Sequence, residues 1–148
     1  EPVYSYEAID QCVEILKKDK DVAASTALDN LKNHPDIIDD DSIVKVVTDL
    51  KDNILYLSRS KVPYHYDKKE NLDYYHIIGI VAFRADVLKK FVDMERTPLE
   101  RMEGVEQLRL IENGYTMRVV RGDYNNLGVN MPDEMEEVRR RYREGEIS

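Results

Sequence analysis

The 148 residues are 42% hydrophobic and 35% charged, with no tryptophan and two phenylalanines but ten tyrosines. That mixture suits one soluble globular domain and excludes a disordered chain. A net charge of −8 and a pI near 4.9 exclude a general nucleic-acid binder and a protein that docks on an anionic membrane, since both need a basic footprint.

A single cysteine, Cys12, leaves no internal disulfide framework and points to a reducing, cytoplasmic setting. No apolar run approaches the roughly 18 residues of a transmembrane helix. The start, Glu1-Pro2-Val3-Tyr4, is neither a signal peptide nor an initiator methionine, so a processed or truncated beginning is expected.

Ser5 is placed to cap a first helix, whose apolar stripe is Ile9, Cys12, Val13 and Leu16 and whose last turn carries Lys17 and Lys18. Residues 22–26 read as a short buried strand, and 29–41 as a polar loop with one helical turn. The β-branched run 43–48, the turn residues 49–53 and the strand 54–58 predict a β-hairpin. Residues 59–73 form an irregular segment long enough to be a functional loop.

Residues 75–83 (YHIIGIVAF) are almost continuously apolar, which predicts a central strand, with Gly79 marking a bulge or a close backbone approach. A short helix follows over 85–92. Thr97-Pro98-Leu99-Glu100 has the form of a helix start with a capping box. Leu99, Met102, Val105, Leu108 and Ile111 keep the helical period up to Asn113-Gly114, so one helix is expected there. Residues 116–120 read as a strand. Pro132 opens a last helix with Met135, Val138 and Tyr142 as its buried stripe and Arg139, Arg140, Arg141 and Arg143 in its final turns. Helices alternating with strands give an α/β class, and the whole chain, 1–148, reads as one domain.

Several of these segments, in this order, resemble the CMP-Kdo synthetase (3-deoxy-manno-octulosonate cytidylyltransferase) family. Glu1-Pro2 matches the end of a Gly-Asp-Glu-Pro motif, and Val44-Lys45-Val46-Val47 a Val-Lys-Val-Val strand. Tyr56-Leu57-Ser58-Arg59 with Val62-Pro63-Tyr64 is similar to Tyr-Phe-Ser-Arg…Ile-Pro-Tyr/Trp. Gly79-Ile80-Val81-Ala82-Phe83-Arg84 is similar to Gly-Ile-Tyr-Ala-Tyr-Arg. The longest match runs from Pro98-Leu99-Glu100 through Glu106-Gln107-Leu108-Arg109 to Asn113-Gly114-Tyr115, and Gly128-Val129-Asn130-Met131-Pro132 resembles Gly-Val-Asp-Thr-Pro.

The resemblance implies a Rossmann-like nucleotidyltransferase fold with a mixed sheet flanked by helices. It also implies a homodimer, and transfer of CMP from CTP to an acidic sugar such as Kdo with release of pyrophosphate, supported by Mg²⁺. The family's nucleotide loop and one metal aspartate fall before Glu1, so this chain is expected to be the C-terminal, sugar-binding and dimerisation part, incomplete for catalysis by itself. A degenerate, non-catalytic module and a nucleotidyltransferase for another acceptor are the alternative readings.

Residue by residue, Glu106 and Gln107 match the family's sugar-side pair. Asn130 stands where the family has its second metal aspartate, and a neutral amide there would hold Mg²⁺ more weakly than a carboxylate. The family histidine and tyrosine of the sugar site fall on Ile77 and Val81. His76, one residue away, substitutes only if the strand register shifts, because neighbouring strand residues face opposite ways. Arg59, just after a strand, is a candidate contact for phosphate or sugar. Each has a plainer reading: Asn130 as a helix cap, Glu106 and Gln107 as a solvated helix face, His76 and Cys12 as core residues.

Overall fold

A computed structural model describes residues 5–67, 69, 73–122, 124 and 132–145. Asn130 and the motif ends at Glu1-Pro2 and 128–131 therefore lie outside the described residues.

The first helix, α1, is Tyr6–Lys18, and the Ser5 hydroxyl accepts from the Ala8 N–H at 3.3 Å as its cap. Its buried line is Ala8 and Cys12, while Ile9 and Val13 remain 38% and 37% exposed. The expected stripe is thus rotated: small residues face the sheet because the helix lies close to it. Strand β1, Val22–Asn30, is longer than residues 22–26. It has neighbours along both edges, so its polar end is zipped into the sheet despite Asp29 and Asn30.

Two 3₁₀ turns, Leu31–Asn33 and Pro35–Ile37, lead to strands β2, Lys45–Thr48, and β3, Ile54–Ser58. These form the expected hairpin. Asp49 fixes its turn by accepting from the backbone N–H groups of Lys51 and Asn53, each at 2.8 Å. Strand β4 is Tyr75–Phe83, with Gly79 at a φ of 72°. The β1–β4 register shifts there, between Thr26 opposite Val81 and Leu28 opposite Ile77, which confirms the bulge.

Helix α2, Ala85–Asp93, follows β4 directly. The single helix expected over 99–111 is two: α3, Pro98–Glu103, and α4, Leu108–Glu112. Gly104, at a φ of 64°, ends α3 in the left-handed conformation that glycine tolerates, and this breaks the helical period. Met102 consequently is 82% exposed rather than buried. Strand β5, Thr116–Gly122, and helix α5, Pro132–Arg143, complete the chain. Of the expected α5 stripe only Val138 is buried, whereas Met135 and Tyr142 are exposed.

The sheet order is β3-β2-β4-β1-β5, with β1 and β5 parallel and the other pairs antiparallel. One face carries α1 over Ala27 and Ile78. The other buries Ala24, Leu28, Met117 and Val119 against Val87 of α2, Val105, and Leu108 and Leu110 of α4. The hairpin arcs over this second face, adding Val46, Ile54 and Leu57 to the same core. Its turn reaches β5, where the Val119 N–H donates to the Asp52 carbonyl at 2.9 Å and Arg121 donates to Asp52 and Thr48.

A buried ion pair fastens α2, α3 and α4 to one another. Glu100, only 3% exposed, takes two bonds from Arg109, at 2.8 and 2.6 Å. Arg109 also donates to the carbonyls of Phe91 and Met94 and lies 4.5 Å above the Phe91 ring. Glu100 further accepts from the Thr97 N–H, so its arm of the capping box is made. Glu112 takes the Leu99 and Glu100 N–H groups at the α3 start. The Arg109 bonds hold the Glu100 carboxyl down at about 2 against the cost of its burial.

Candidate functional site

The β2–β3 hairpin and the α3–α4 connection meet where β3 ends. Glu103, the last residue of α3, points its carboxylate at that end and accepts from the Tyr56 hydroxyl at 3.0 Å, the Ser58 hydroxyl at 2.8 Å and the Arg59 N–H at 2.9 Å. Burial pushes the Glu103 carboxyl up, but these three donors outweigh it and the net shift is downward. Burial first, and then the Glu103 charge, push the Tyr56 phenol up.

Arg59 turns its guanidinium the same way and spends it on backbone carbonyls. Nε donates to Glu103 O at 2.7 Å, Nη1 to Asp41 O at 2.9 Å and Ser42 O at 3.5 Å, and Nη2 to Gly104 O at 3.4 Å. The planar fork of arginine suits such a set, and it ties the 41–42 turn to the α3 C-terminus. Arg59 is thus a clamp on the connection that carries Glu106 and Gln107.

Those two residues do not lie on a continuous helix. They form the turn before α4, with Glu106 exposed, Gln107 half-buried, and their carbonyls accepting from the Arg109 and Leu110 N–H groups. Their neighbours Val105 and Leu108 anchor the turn in the core.

Ile77 and Val81 belong to the same apolar layer as Val105 and Leu108. His76 lies on the opposite face of β4, the α1 face, as strand alternation requires. It therefore does not stand in for a histidine at position 77, and the structure does not bring it to the Glu106–Gln107 turn.

His76 has other neighbours instead. It is the cross-strand partner of Lys45 on β2 and of Asp29 on β1, so the three form one row across the sheet. Lys45 is fully buried and its ammonium donates to the carbonyls of Asp40 at 2.6 Å and Ile43 at 2.7 Å. Burial pushes the Lys45 ammonium down, with the aspartates 39, 40 and 41 opposing it. Burial likewise pulls the His76 imidazole below its ordinary value, opposed by Asp29. Asp29 also accepts from the Tyr124 N–H at 2.8 Å.

This row and the Glu103 anchor are what sequence reasoning missed. The signal for Lys45 was in the sequence, as a lone charge inside the β-branched run 43–48. Nothing local marked Glu103 or Asp29, whose partners are 44 or more residues away.

Among the described residues no group of three or more His, Cys, Asp or Glu side chains is arranged to hold a metal ion. An open groove of about 610 Å³ lies between α1 and Val120 of β5, lined by Glu7, Asp10, Gln11, Glu14, Ile15 and Lys18. Of the candidate site residues that are described, Arg59, His76, Glu106 and Gln107, none lines it.

The profile of one family, described as Cytidylyltransferase, matches residues 1–119. The chain belongs to that family. A 3-deoxy-manno-octulosonate cytidylyltransferase of Chlorobaculum tepidum is 51% identical over 108 residues, which is 73% of this chain and 44% of that protein. The one of Solibacter usitatus is 36% identical over 97% of this chain and 56% of its own length. The mitochondrial one of Arabidopsis thaliana is 35% identical over 100% of this chain and 51% of its own. The chain thus spans about half the length of the curated relatives it matches.

Its fold superimposes on a solved CMP:2-keto-3-deoxy-manno-octonic acid synthetase complexed with CTP. The TM-score is 0.87 at 27% identity, covering 98% of this chain and 59% of that one. The mixed sheet flanked by helices is therefore the nucleotidyltransferase fold that the resemblance implied. No helix among the described residues is long and apolar enough to cross a membrane.

Proposed function

We propose that this chain is the acceptor-side part of an enzyme that transfers CMP from CTP to an acidic sugar such as Kdo. In that reaction a sugar hydroxyl attacks the α-phosphorus of CTP, the bond to the β-phosphate breaks, and pyrophosphate leaves. Such a transfer is mainly a problem of positioning and charge neutralisation.

The observation that carries the reading is the Glu106–Gln107 turn. It is held from below by Val105 and Leu108 and from the side by the Arg59–Glu103 clamp, so two polar groups are presented on a rigid mount. The turn offers an acceptor carboxylate oxygen and one amide to sugar hydroxyls. In this reading Arg59 acts on the sugar through that mount. His76, on the other face, takes no part in it unless the register changes. Mg²⁺ would neutralise the triphosphate, with Asn130 at its site offering an amide oxygen. A homodimer and a cytoplasmic setting complete the proposal.

The apolar side chains at 77 and 81 support a second reading, a nucleotidyltransferase with a different acceptor. Both readings are tested on the polypeptide that carries these residues, by pyrophosphate release from each of the four NTPs with a panel of acidic sugars. CTP with Kdo is the expected pair, and Glu106→Ala is expected to raise the KM for the sugar at least tenfold with the KM for CTP unchanged. Turnover of CTP with another acidic sugar but not Kdo selects the second reading. Absence of pyrophosphate with every pair refutes both.

A further inference from the structure

Residues 39–42 are three aspartates and a serine in succession, and all four are exposed. None of these side chains anchors the turn in the core. Its backbone is held instead. The carbonyls of Asp40, Asp41, Ser42 and Ile43 all accept from cationic side chains. The outer two take the Lys45 ammonium, at 2.6 and 2.7 Å, and the inner two take Arg59 Nη1, at 2.9 and 3.5 Å. Two local bonds close the turn, from the Ser42 N–H to the Asp40 carboxylate at 2.8 Å and from the Ile43 N–H to the Asp40 carbonyl at 3.3 Å.

The two cations differ in how firmly they are committed to these carbonyls. Lys45 is fully buried and enters from β2 beside its cross-strand partner Ser58, the residue before Arg59. A buried ammonium has no water to turn to, so its carbonyl bonds are costly to leave unmade. Arg59 is half-buried, and its guanidinium bonds backbone carbonyls. An arginine at that depth exchanges a carbonyl for water at little cost.

The charges support the same order. Burial is the main burden on the Lys45 ammonium and Arg59 adds repulsion, while the carboxylates of Asp40, Asp39 and Asp41 oppose both. The aspartate run thus supplies counter-charge to a pair of cations that bond carbonyls. Lys45 fixes the turn, and the turn fixes the Arg59 guanidinium. Arg59 then fixes the end of α3, through the Glu103 carbonyl at 2.7 Å and the Gly104 carbonyl at 3.4 Å. Glu106 and Gln107 follow two and three residues after Gly104.

We infer that Lys45 is a positioning residue for the sugar acceptor, acting on the Glu106–Gln107 turn through the 40–43 carbonyls and the Arg59 guanidinium. It touches no substrate itself. The inference rests on the reading of that turn as the acceptor mount. A lysine that only filled the core would change stability and would move no substrate constant selectively.

Three variants of the polypeptide used for the activity assay test this. Lys45→Met keeps the length of the side chain and removes the ammonium. Asp40→Ala loosens the same turn from its exposed surface, where folding is not at stake, by deleting the acceptor of the Ser42 N–H. Asp40→Asn restores that acceptor without the charge. The first readout needs no substrate: solvent exchange of the Arg59 Nε–H proton, followed by NMR. It is expected to be about tenfold faster in Lys45→Met, as for the loss of one net hydrogen bond. It is expected to be faster also in Asp40→Ala, and unchanged in Asp40→Asn. Lys61→Met is the control, because Lys61 sits by the Asp39 carboxylate at 3.8 Å and over the Tyr74 ring, and it too is expected to change nothing.

The second readout is steady-state kinetics. Lys45→Met is expected to raise the KM for the sugar about tenfold with the KM for CTP unchanged, below the roughly hundredfold that a displacement of about 1 Å can cost. In the double variant it is expected to add nothing to Arg59→Met, because the two residues act in series. Unchanged Arg59 exchange in both Lys45→Met and Asp40→Ala overturns the inference whether or not CTP is turned over. Additive effects in the double variant, or equal rises in both KM values, overturn it as well, since they mark a structural role only. Faster Arg59 exchange in a polypeptide that releases no pyrophosphate supports the Lys45–Arg59 linkage and refutes the acceptor reading, so the two failures are told apart.

Discussion

Replacing Glu100 with glutamine keeps the shape of the side chain and removes the charge that Arg109 is built around. The carboxylate is 3% exposed and the guanidinium 14%. Breaking one partner out of a buried pair costs about 3–5 kcal/mol, because the other charge stays buried without its counterpart. Arg109 would keep the Phe91 and Met94 carbonyls and the Phe91 ring, so the low end, about 3 kcal/mol, is expected. For a domain of this length that corresponds to a fall in Tm of roughly 6–12 °C, read by calorimetry or circular dichroism.

A pH series gives an independent check. The Glu100 carboxyl is held at about 2 in the fold against an ordinary value of 4.5. A depressed acid stabilises the fold fully above the unfolded value and loses that contribution as pH falls toward the folded one. Wild-type Tm is therefore expected to drop more steeply than that of Glu100→Gln between those two values. A loss below about 1 kcal/mol, the range of an exposed pair, or parallel acid slopes for the two proteins, would refute the reasoning.

Two further outcomes follow from single positions. Gly104→Ala places a Cβ at a φ of 64°, where it meets only Arg59 atoms at 3.8 Å and beyond, so the cost is backbone strain of about 1–2 kcal/mol rather than a clash; an unchanged Tm would contradict the left-handed cap. Cys12, on the sheet-facing side of α1, is buried, and burial raises its thiol to about 11. Alkylation by iodoacetamide at pH 8 is expected only after denaturant unfolds the chain, and fast labelling of the native protein would show that α1 does not seal that face.

Much of this protein was determined by sequence alone. The hairpin, the apolar strand 75–83 with its glycine bulge and the Ser5 cap are local signals, and each is present in the fold at or near its expected bounds. They are legible because turn chemistry, periodicity and capping act within a few residues. The pair Glu106–Gln107 was a candidate through the family resemblance alone, and the fold places it in a turn rather than on the helix face expected for it.

Other features were decided only in three dimensions. The period through Leu99 to Ile111 promised one helix, but the fold uses Gly104 to break it, so that Glu103 can meet Ser58 and Arg59 across 44 or more residues. Arg59 read as a candidate contact for phosphate or sugar just after a strand, and in the fold it is a clamp because four carbonyls from two distant turns converge on it. The stripe of α1 turned toward Ala8 and Cys12, since close approach to the sheet favours small residues and leaves Ile9 and Val13 uncovered. Sequence decides which residues want burial or a partner. The pairing of strands and the distances between chain-remote groups decide which of them obtain it, and along the outer edge of β4 the paired strand ends before the apolar run does.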